Sequence, residues 1–414
     1  MEHTMNEVNR LPFEIVNQIL QEFVHELPKE PSLAGPPPLP ALTSEAYKEL
    51  IALRLISKTW SKAVIPFYFR TISIQNSKRA KVILDNWSDS LFRPNFSCPV
   101  KRLSVTRVCC LEEEACILEK HCPEGSTCVS INQLERSITL LGTNLKALDV
   151  NFIDCKTISP NLIKAIKTIN ELKSLSLFIT CWKLDRGSFD LDSLSNFFSA
   201  MPKLEYLKLF DDAPNFDFKP PALSNLRYFY FTAHRANIQG NSQVTRAAKD
   251  TLRIMELCYS NCRGLVQLAQ IFEPVKDTLE GFFTSAFNED VPRDVENLTF
   301  PNLKVLETQF FTAHPKSGFT WLEGPMLKNV RTIFTRLRVE HCWQESLELG
   351  GVNALKNLPN FKHLVFIKNR GETKANNPDL IEAFKSHGVE CHVTDPLSPD
   401  GMMELDRLLN GPIN

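Results

Sequence analysis

Glycine is scarce. The 414 residues include 15 glycines, and none falls in the G-x-x-x-x-G-K-[ST] or G-x-G-x-x-G spacing whose backbone amides cradle phosphate. Nucleotide chemistry has no seat here. Charge of one sign is also lacking: 47 basic residues face 48 acidic ones, a net charge of −1. A chain that grips a phosphate backbone carries a basic excess or stripe. Only short clusters such as Lys78-Arg79-Ala80-Lys81 occur, so no nucleic-acid partner is expected. No apolar run reaches the roughly 18 residues of a spanning helix, and the opening MEHTMNEVNR lacks the apolar centre of a secretory signal. An intracellular chain, cytoplasmic or nuclear, with no membrane partner is the expectation. Its 12 cysteines are then expected to be reduced thiols.

Two short apolar helices stand near the start. In RLPFEIVNQILQEF (10–23), Pro12 suits a first helical position, where its missing N–H costs nothing. Ile15, Ile19 and Phe23 repeat every four residues, with Val16, Leu20 and Val24 beside them. A second run, ELIALRLISKTWSKAV (49–64), reads as one helix with Leu53, Ile56, Trp60 and Val64 on one face and Pro66 as its stop. Each helix has more apolar surface than one partner covers. The remainder is covered by the rest of this chain or by another protein.

These residues resemble the F-box. The carriers are the Leu11-Pro12 opening, isoleucines at the fourth and eighth places after Leu11, and a later leucine-rich helix holding Ser57-Lys58 and Trp60. The resemblance covers residues 10 to about 66. It implies docking on the Skp adaptor of cullin ubiquitin ligases, through Leu11, Pro12, Ile15, Ile19, Leu20, Leu53, Leu55, Ile56 and Trp60. These would divide between adaptor contact and the motif's own small core. One departure stands out: residues 24–46, with six prolines, separate helices that the family joins closely. Pro37-Pro38-Leu39-Pro40 reads as a solvated extended loop, or as a polyproline ligand.

From residue 100 onward one pattern returns. It reads Leu145-x-x-Leu148-x-Val150, then restarts at Leu172, Leu204, Leu226, Leu252, Leu279, Leu303, Val330 and Phe361. Starts lie 22 to 32 residues apart and average 27, within the leucine-rich-repeat range of about 20–29. Val100 and the strand RTISI (70–74) read as earlier copies. Places four and six point into a core, and the segments between carry apolar residues at helical spacing. DCKTISPNLIKAI, from Asp154, resembles the cysteine-containing repeat subtype, with Cys155 filling a buried turn. PDLIEAFKSHGVECHVTD reads as a last helix and strand, and GMMELDRLL as a cover for the last core edge.

The expected fold class is therefore α/β: an N-terminal helical F-box over 1–66, an irregular leucine-rich-repeat solenoid over 67–395, and a tail or cap over 396–414. The solenoid would have a concave parallel sheet and convex helices. Places three, five and seven of each strand would face out of the concave side. They offer Phe178, Tyr206, Lys208, Phe210, Tyr228, Tyr230, Glu256 and Phe283 as a target-binding face. The bland alternative is that loops or the C-terminal tail fold over these rings.

Catalysis finds no footing. No H-E-x-x-H helix or C-x-x-C pair occurs. Cys98, Cys109, Cys110, Cys116, Cys122 and Cys128 with His121 match no common zinc-finger spacing, and read as a thiol-rich insertion between repeats. His341-Cys342, read as strand, would point to opposite faces. No catalytic residue, metal or cofactor is expected. The resemblance implies a substrate receptor of a Skp–cullin–F-box ligase, similar to proteins common in fungi. A scaffold outside the ligase, and a plain repeat module with helical cap, are the alternatives.

Overall fold

The structure is a computed structural model. It describes residues 11–29, 42–87, 98–109, 128–153, 155, 157–180, 190–210, 223–233, 238–259, 267–286, 293–308, 320–337, 340–347, 355, 358–368 and 377–412. The chain opens with three helices, α1 (Phe13–Glu26), α2 (Ser44–Ala52) and α3 (Lys58–Tyr68). Pro12 is the N-cap of α1 and not its first helical residue. Val16, Leu20 and Val24, four apart, form the buried stripe of α1. They meet Leu42, Ala46, Leu50, Ala63 and Val64 in a small core of their own.

The expected single second helix is two. A tight turn at Leu53–Leu55 ends α2, and Ser57 is extended at φ −165°. Its hydroxyl accepts from the Trp60 N–H at 3.3 Å, an N-cap bond that competes with continuing the helix. Pro66 does not stop α3. It lies two residues from the end, where its missing N–H forfeits a single helical bond. The long insertion is pinned at its roots. Lys29 and Leu42 form an antiparallel bridge, the Thr43 N–H donates to the Pro28 carbonyl at 3.0 Å, and Leu27 and Leu42 are buried. Pro37–Pro40 lie outside the described residues.

The rest is a repeating α/β array. Its strands are β1 (Thr71–Ile74), β2 (Arg102–Cys109), β3 (Val129–Ser130), β4 (Ala147–Ile153), β5 (Ser174–Thr180), β6 (Tyr206–Phe210), β7 (Tyr228–Ala233), β8 (Ile254–Tyr259), β9 (Gly281–Ala286), β10 (Val305–Glu307), β11 (Thr332–Arg336), β12 (His363–Ile367) and β13 (Glu390–Thr394). They form one 13-stranded parallel sheet in chain order, with short β3 set aside on β2. Helices between strands include α4 (Ser77–Asn86), α5 (Ile131–Leu141), α6 (Pro160–Lys167), α7 (Leu191–Ser199), α8 (Ile238–Ala247), α9 (Ala269–Phe272), α10 (Arg293–Glu296), α11 (Glu340–Ser346) and α12 (Pro378–Lys385). They cover one sheet face.

Each expected pattern start is buried and followed two residues later by a strand. Place four is in register from strand to strand, from Ile72 through Leu148, Leu207, Phe229 and Phe282 to Leu364. These side chains form the main core with the helices. A second device joins the repeats. The residue just before the pattern is often asparagine, and its side-chain amide donates to a carbonyl of the preceding unit. Asn144 reaches Cys98 at 2.7 Å, Asn225 Pro202 at 2.8 Å, Asn302 Asp277 at 2.6 Å and Asn329 Phe300 at 3.2 Å. Each bond ties one unit to the unit before it at the partly or fully exposed rim of the array.

The opposite face is closed at its C-terminal half by α13 (Pro399–Asn410). Twelve residues of helix span ~18 Å, and strands lie ~4.8 Å apart, so α13 covers about four strands. Its Met402 and Met403 pack on Phe283, Val305, Phe334, Val365 and Ile367, from β9 to β12. GMMELDRLL thus lies across the sheet face and not over the last core edge. Gly281 makes the approach possible: a Cβ there would stand 2.7 Å from the Met403 sulfur and 2.7 Å from the Phe283 ring. Asp406 anchors the helix. Fully buried, it accepts from Arg331 at 2.6 and 3.0 Å, Thr332 at 2.7 Å and Asn410 at 3.0 Å.

Removing Asp406 leaves Arg331 without its carboxylate and α13 without its tie. Asp406→Ala should cost about 3–5 kcal/mol in urea unfolding, and limited proteolysis should cut first within α13.

Candidate functional site

Two surfaces gather the residues singled out by sequence. The first is on the N-terminal helices. On α1, Val16, Leu20 and Val24 face inward, so the neighbouring stripe faces out. Leu11 is 48% exposed, Ile15 44% and Ile19 41%, with Pro12 exposed beside them. At the turn after α2, Leu55 is 89% and Ile56 59% exposed. Leu20 belongs to the small core, and Leu53 and Trp60 are half-buried against it. The break at Ser57 produces this division by turning Leu55 and Ile56 away from the face that Trp60 shares. Ile51, four residues before Leu55 on the second apolar face of that run, is exposed as well. So is Phe13, which sequence reasoning missed because no apolar residue lies four places from it.

Each large apolar side chain left in water forgoes about 1.5–3 kcal/mol of burial. The surface holds several such groups over an already closed core. Further packing within the described residues has nothing to add there.

The second surface is the sheet face opposite the helices. Places three, five and seven do point to it. Tyr206 pairs with Tyr228, and Lys208 with Tyr230, in register across β6 and β7. Phe178 and Phe210 stack with centroids 3.8 Å apart, and Phe210 leans on Tyr230 at 4.6 Å. The expectation of an open face needs correction, however. Tyr228, Tyr230, Lys208, Glu256 and Phe283 are all buried, because α13 and the rings themselves close over this part of the sheet. Phe178, Tyr206 and Phe210 stay half-exposed. The accessible aromatic surface is therefore the edge of the patch, on β5 and β6.

The covered part is a polar network in an apolar setting. The Tyr228 hydroxyl donates to the Glu256 carboxylate. Burial and the adjoining Glu256 hold the Tyr228 phenol well above its usual range. Burial pulls the Lys208 ammonium down to about 8, with Glu256 opposing it. Two strands further on, Glu307 is buried with Oε1 accepting no hydrogen bond among the described residues, and Arg336 stands 3.5 Å away. Burial pushes the Glu307 carboxyl up to about 8. At neutral pH it is largely a neutral acid.

Cysteine placement departs from expectation at two points. Cys155 is buried as expected for a turn filler, yet it is disulfide-bonded and not a free thiol. His341 and Cys342 open α11 and do not lie in a strand, so the Sγ stands 3.3 Å from Nε2. Burial raises the Cys342 thiol, the reverse of an activated nucleophile. Of the cysteine-rich segment, Cys98, Cys109 and Cys128 are described and unbridged. Cys110, Cys116, Cys122 and His121 lie outside the described residues.

No protein-family model and no curated protein matches the chain. Among the described residues no helix is long and apolar enough to cross a membrane.

The Glu307 carboxyl gives a pH signature. Its folded value of about 8 exceeds the ordinary 4.5, so the folded state holds the proton more tightly than the unfolded chain. The associated stability is complete below about pH 4.5 and is lost as pH rises toward 8. Urea midpoints should fall across that window, and Glu307→Gln should flatten the fall by a few kcal/mol.

Proposed function

We propose that the chain is a substrate receptor of a Skp–cullin–F-box type ubiquitin ligase. In this reading residues 11–68 form an F-box, and the α/β array is a leucine-rich-repeat arc that holds a protein target. One observation carries it: the outward stripe Leu11, Ile15 and Ile19, with Leu55 and Ile56, stands exposed over a helical unit whose own core is complete. Helices serving only as a cap would turn their apolar surface toward the array. Here the chain enters the array at Phe69, whose ring packs edge-on against Trp87 at 5.6 Å, while the stripe stays in water.

Docking would bury the exposed stripe against the adaptor. The chain then acts by tethering: a bound target keeps its lysines at high effective concentration near the ubiquitin-charged enzyme. No residue of this chain transfers ubiquitin in that scheme. Target contact falls to the half of the sheet toward the N-terminus, where β5 and β6 carry Phe178, Tyr206 and Phe210 and β2 and β4 carry the Arg102–Asp149 ion pair of 2.7 Å. The Lys29–Leu42 bridge pins the chain on either side of the proline-rich segment, and the core of α1 to α3 is closed.

The test is co-purification with a Skp-type adaptor. Leu11→Lys, Ile15→Lys and Ile19→Lys together should abolish the complex while the urea midpoint moves little, each substitution being within about 0.5 kcal/mol at an exposed site. An unchanged complex in that variant defeats the docking reading. Cullin in the purified complex and faster target turnover would separate a ligase receptor from a scaffold outside it.

A further inference from the structure

At the far end of the sheet, three potential metal ligands converge. His363 lies on β12, in register with Glu390 on the edge strand β13, and His392 follows two residues later. Side chains alternate faces along a strand, so Glu390 and His392 share one face, and the parallel register brings His363 onto it. It is the face that α13 crosses, beyond the Arg331–Asp406 tie. No motif spacing announces this group, since its histidines lie 29 residues apart and meet only through strand pairing.

The geometry is specific. His363 Nδ1 and His392 Nε2 are 3.1 Å apart, and Glu390 Oε2 is 3.7 Å from each. The nearest point equidistant from these three atoms lies in their plane, roughly 2 Å from each. An ion displaced toward a fourth ligand stays within a few tenths of an ångström of the bond length of zinc to imidazole nitrogen and carboxylate oxygen. Tetrahedral coordination at that length needs donor separations of about 3.3 Å, and the observed edges bracket it. The carboxylate oxygen stands beyond hydrogen-bond reach of both nitrogens, yet equally far from both. A simple histidine–histidine hydrogen bond explains the short edge but not that symmetry. The rings are tilted 46° to one another, as converging ligands are and stacked rings are not.

We propose that His363, Glu390 and His392 form a binding site for zinc, with two imidazole nitrogens and one carboxylate oxygen as ligands. His363 is buried, while the Glu390 side chain is 68% exposed, so the fourth position opens to water. The ion would join the edge strand β13 to β12. An edge strand is hydrogen-bonded on one side alone, so a metal staple there closes the open end of the array. This site shares no residue with the proposed docking surface and stands or falls independently of it.

The experiment uses the full chain, stripped with chelator and titrated with Co2+ as a spectroscopic stand-in and with Zn2+ against a chromophoric chelator. The wild type should bind Co2+ at a site with weak visible bands and no thiolate-to-metal charge transfer, which sets it apart from any cysteine site. His392→Ala should remove one equivalent, and Glu390→Gln should weaken zinc at least tenfold. Both side chains are at least partly exposed, so the variants should keep the wild-type circular dichroism. Zinc should raise the melting temperature of the wild type and not of His392→Ala. Equal stoichiometry and affinity in His392→Ala, a spectrum of purely thiolate type, or no bound Co2+ at all would each overturn the site.

Discussion

A stretch of parallel sheet whose strands carry apolar side chains in both directions needs cover on both faces, and β9 to β12 form such a stretch. Along one face the helices α4 to α12 meet this demand, repeat by repeat. Along the other, α13 meets it for β9 to β12. That second cover rests on a buried carboxylate, Asp406, which faces an arginine, a threonine and an asparagine, and on a glycine that leaves room for a methionine. Everything C-terminal in the sheet depends on this closure, including the burial of Glu307 and the setting of His363.

The closure also divides the molecule. β4 and β5 carry Asp149, Ser176 and Phe178 on the face beyond the start of α13, and the rings grade from half-exposed at Phe178 to buried at Tyr228. An aromatic row that looks uniform in sequence is therefore a graded edge. At the other end, α1 has two apolar stripes one residue apart. Val16–Leu20–Val24 is spent on an internal core, and Leu11–Ile15–Ile19 is left outside. A helix with two stripes and one partner must expose the second.

Much of the array was legible because its period is simple. Leu145, Leu172, Leu204 and their successors mark where each strand begins, and alternation settles which side chains enter the core. The asparagines at Asn144, Asn225, Asn302 and Asn329 stand one place before the pattern, but sequence reasoning did not single them out. Their partners were not legible, since each lies 23 to 46 residues back. The helix break at Ser57 escaped notice because apolar periodicity runs straight through it, while the Ser57 side chain satisfies the Trp60 N–H locally. His341 and Cys342 were misplaced for a like reason: two residues cannot distinguish strand alternation from the start of a short helix.

By itself the sequence determined the repeating α/β order, the register of buried leucines and the apolar excess of the first helices. These follow from spacing, which is a local property. Which apolar stripe is spent and which is left, and where the last helix lies, were decided in the tertiary structure. So was the meeting of His363, Glu390 and His392. Each of these turns on which surfaces compete for the same neighbour, and that competition runs between segments distant in the chain.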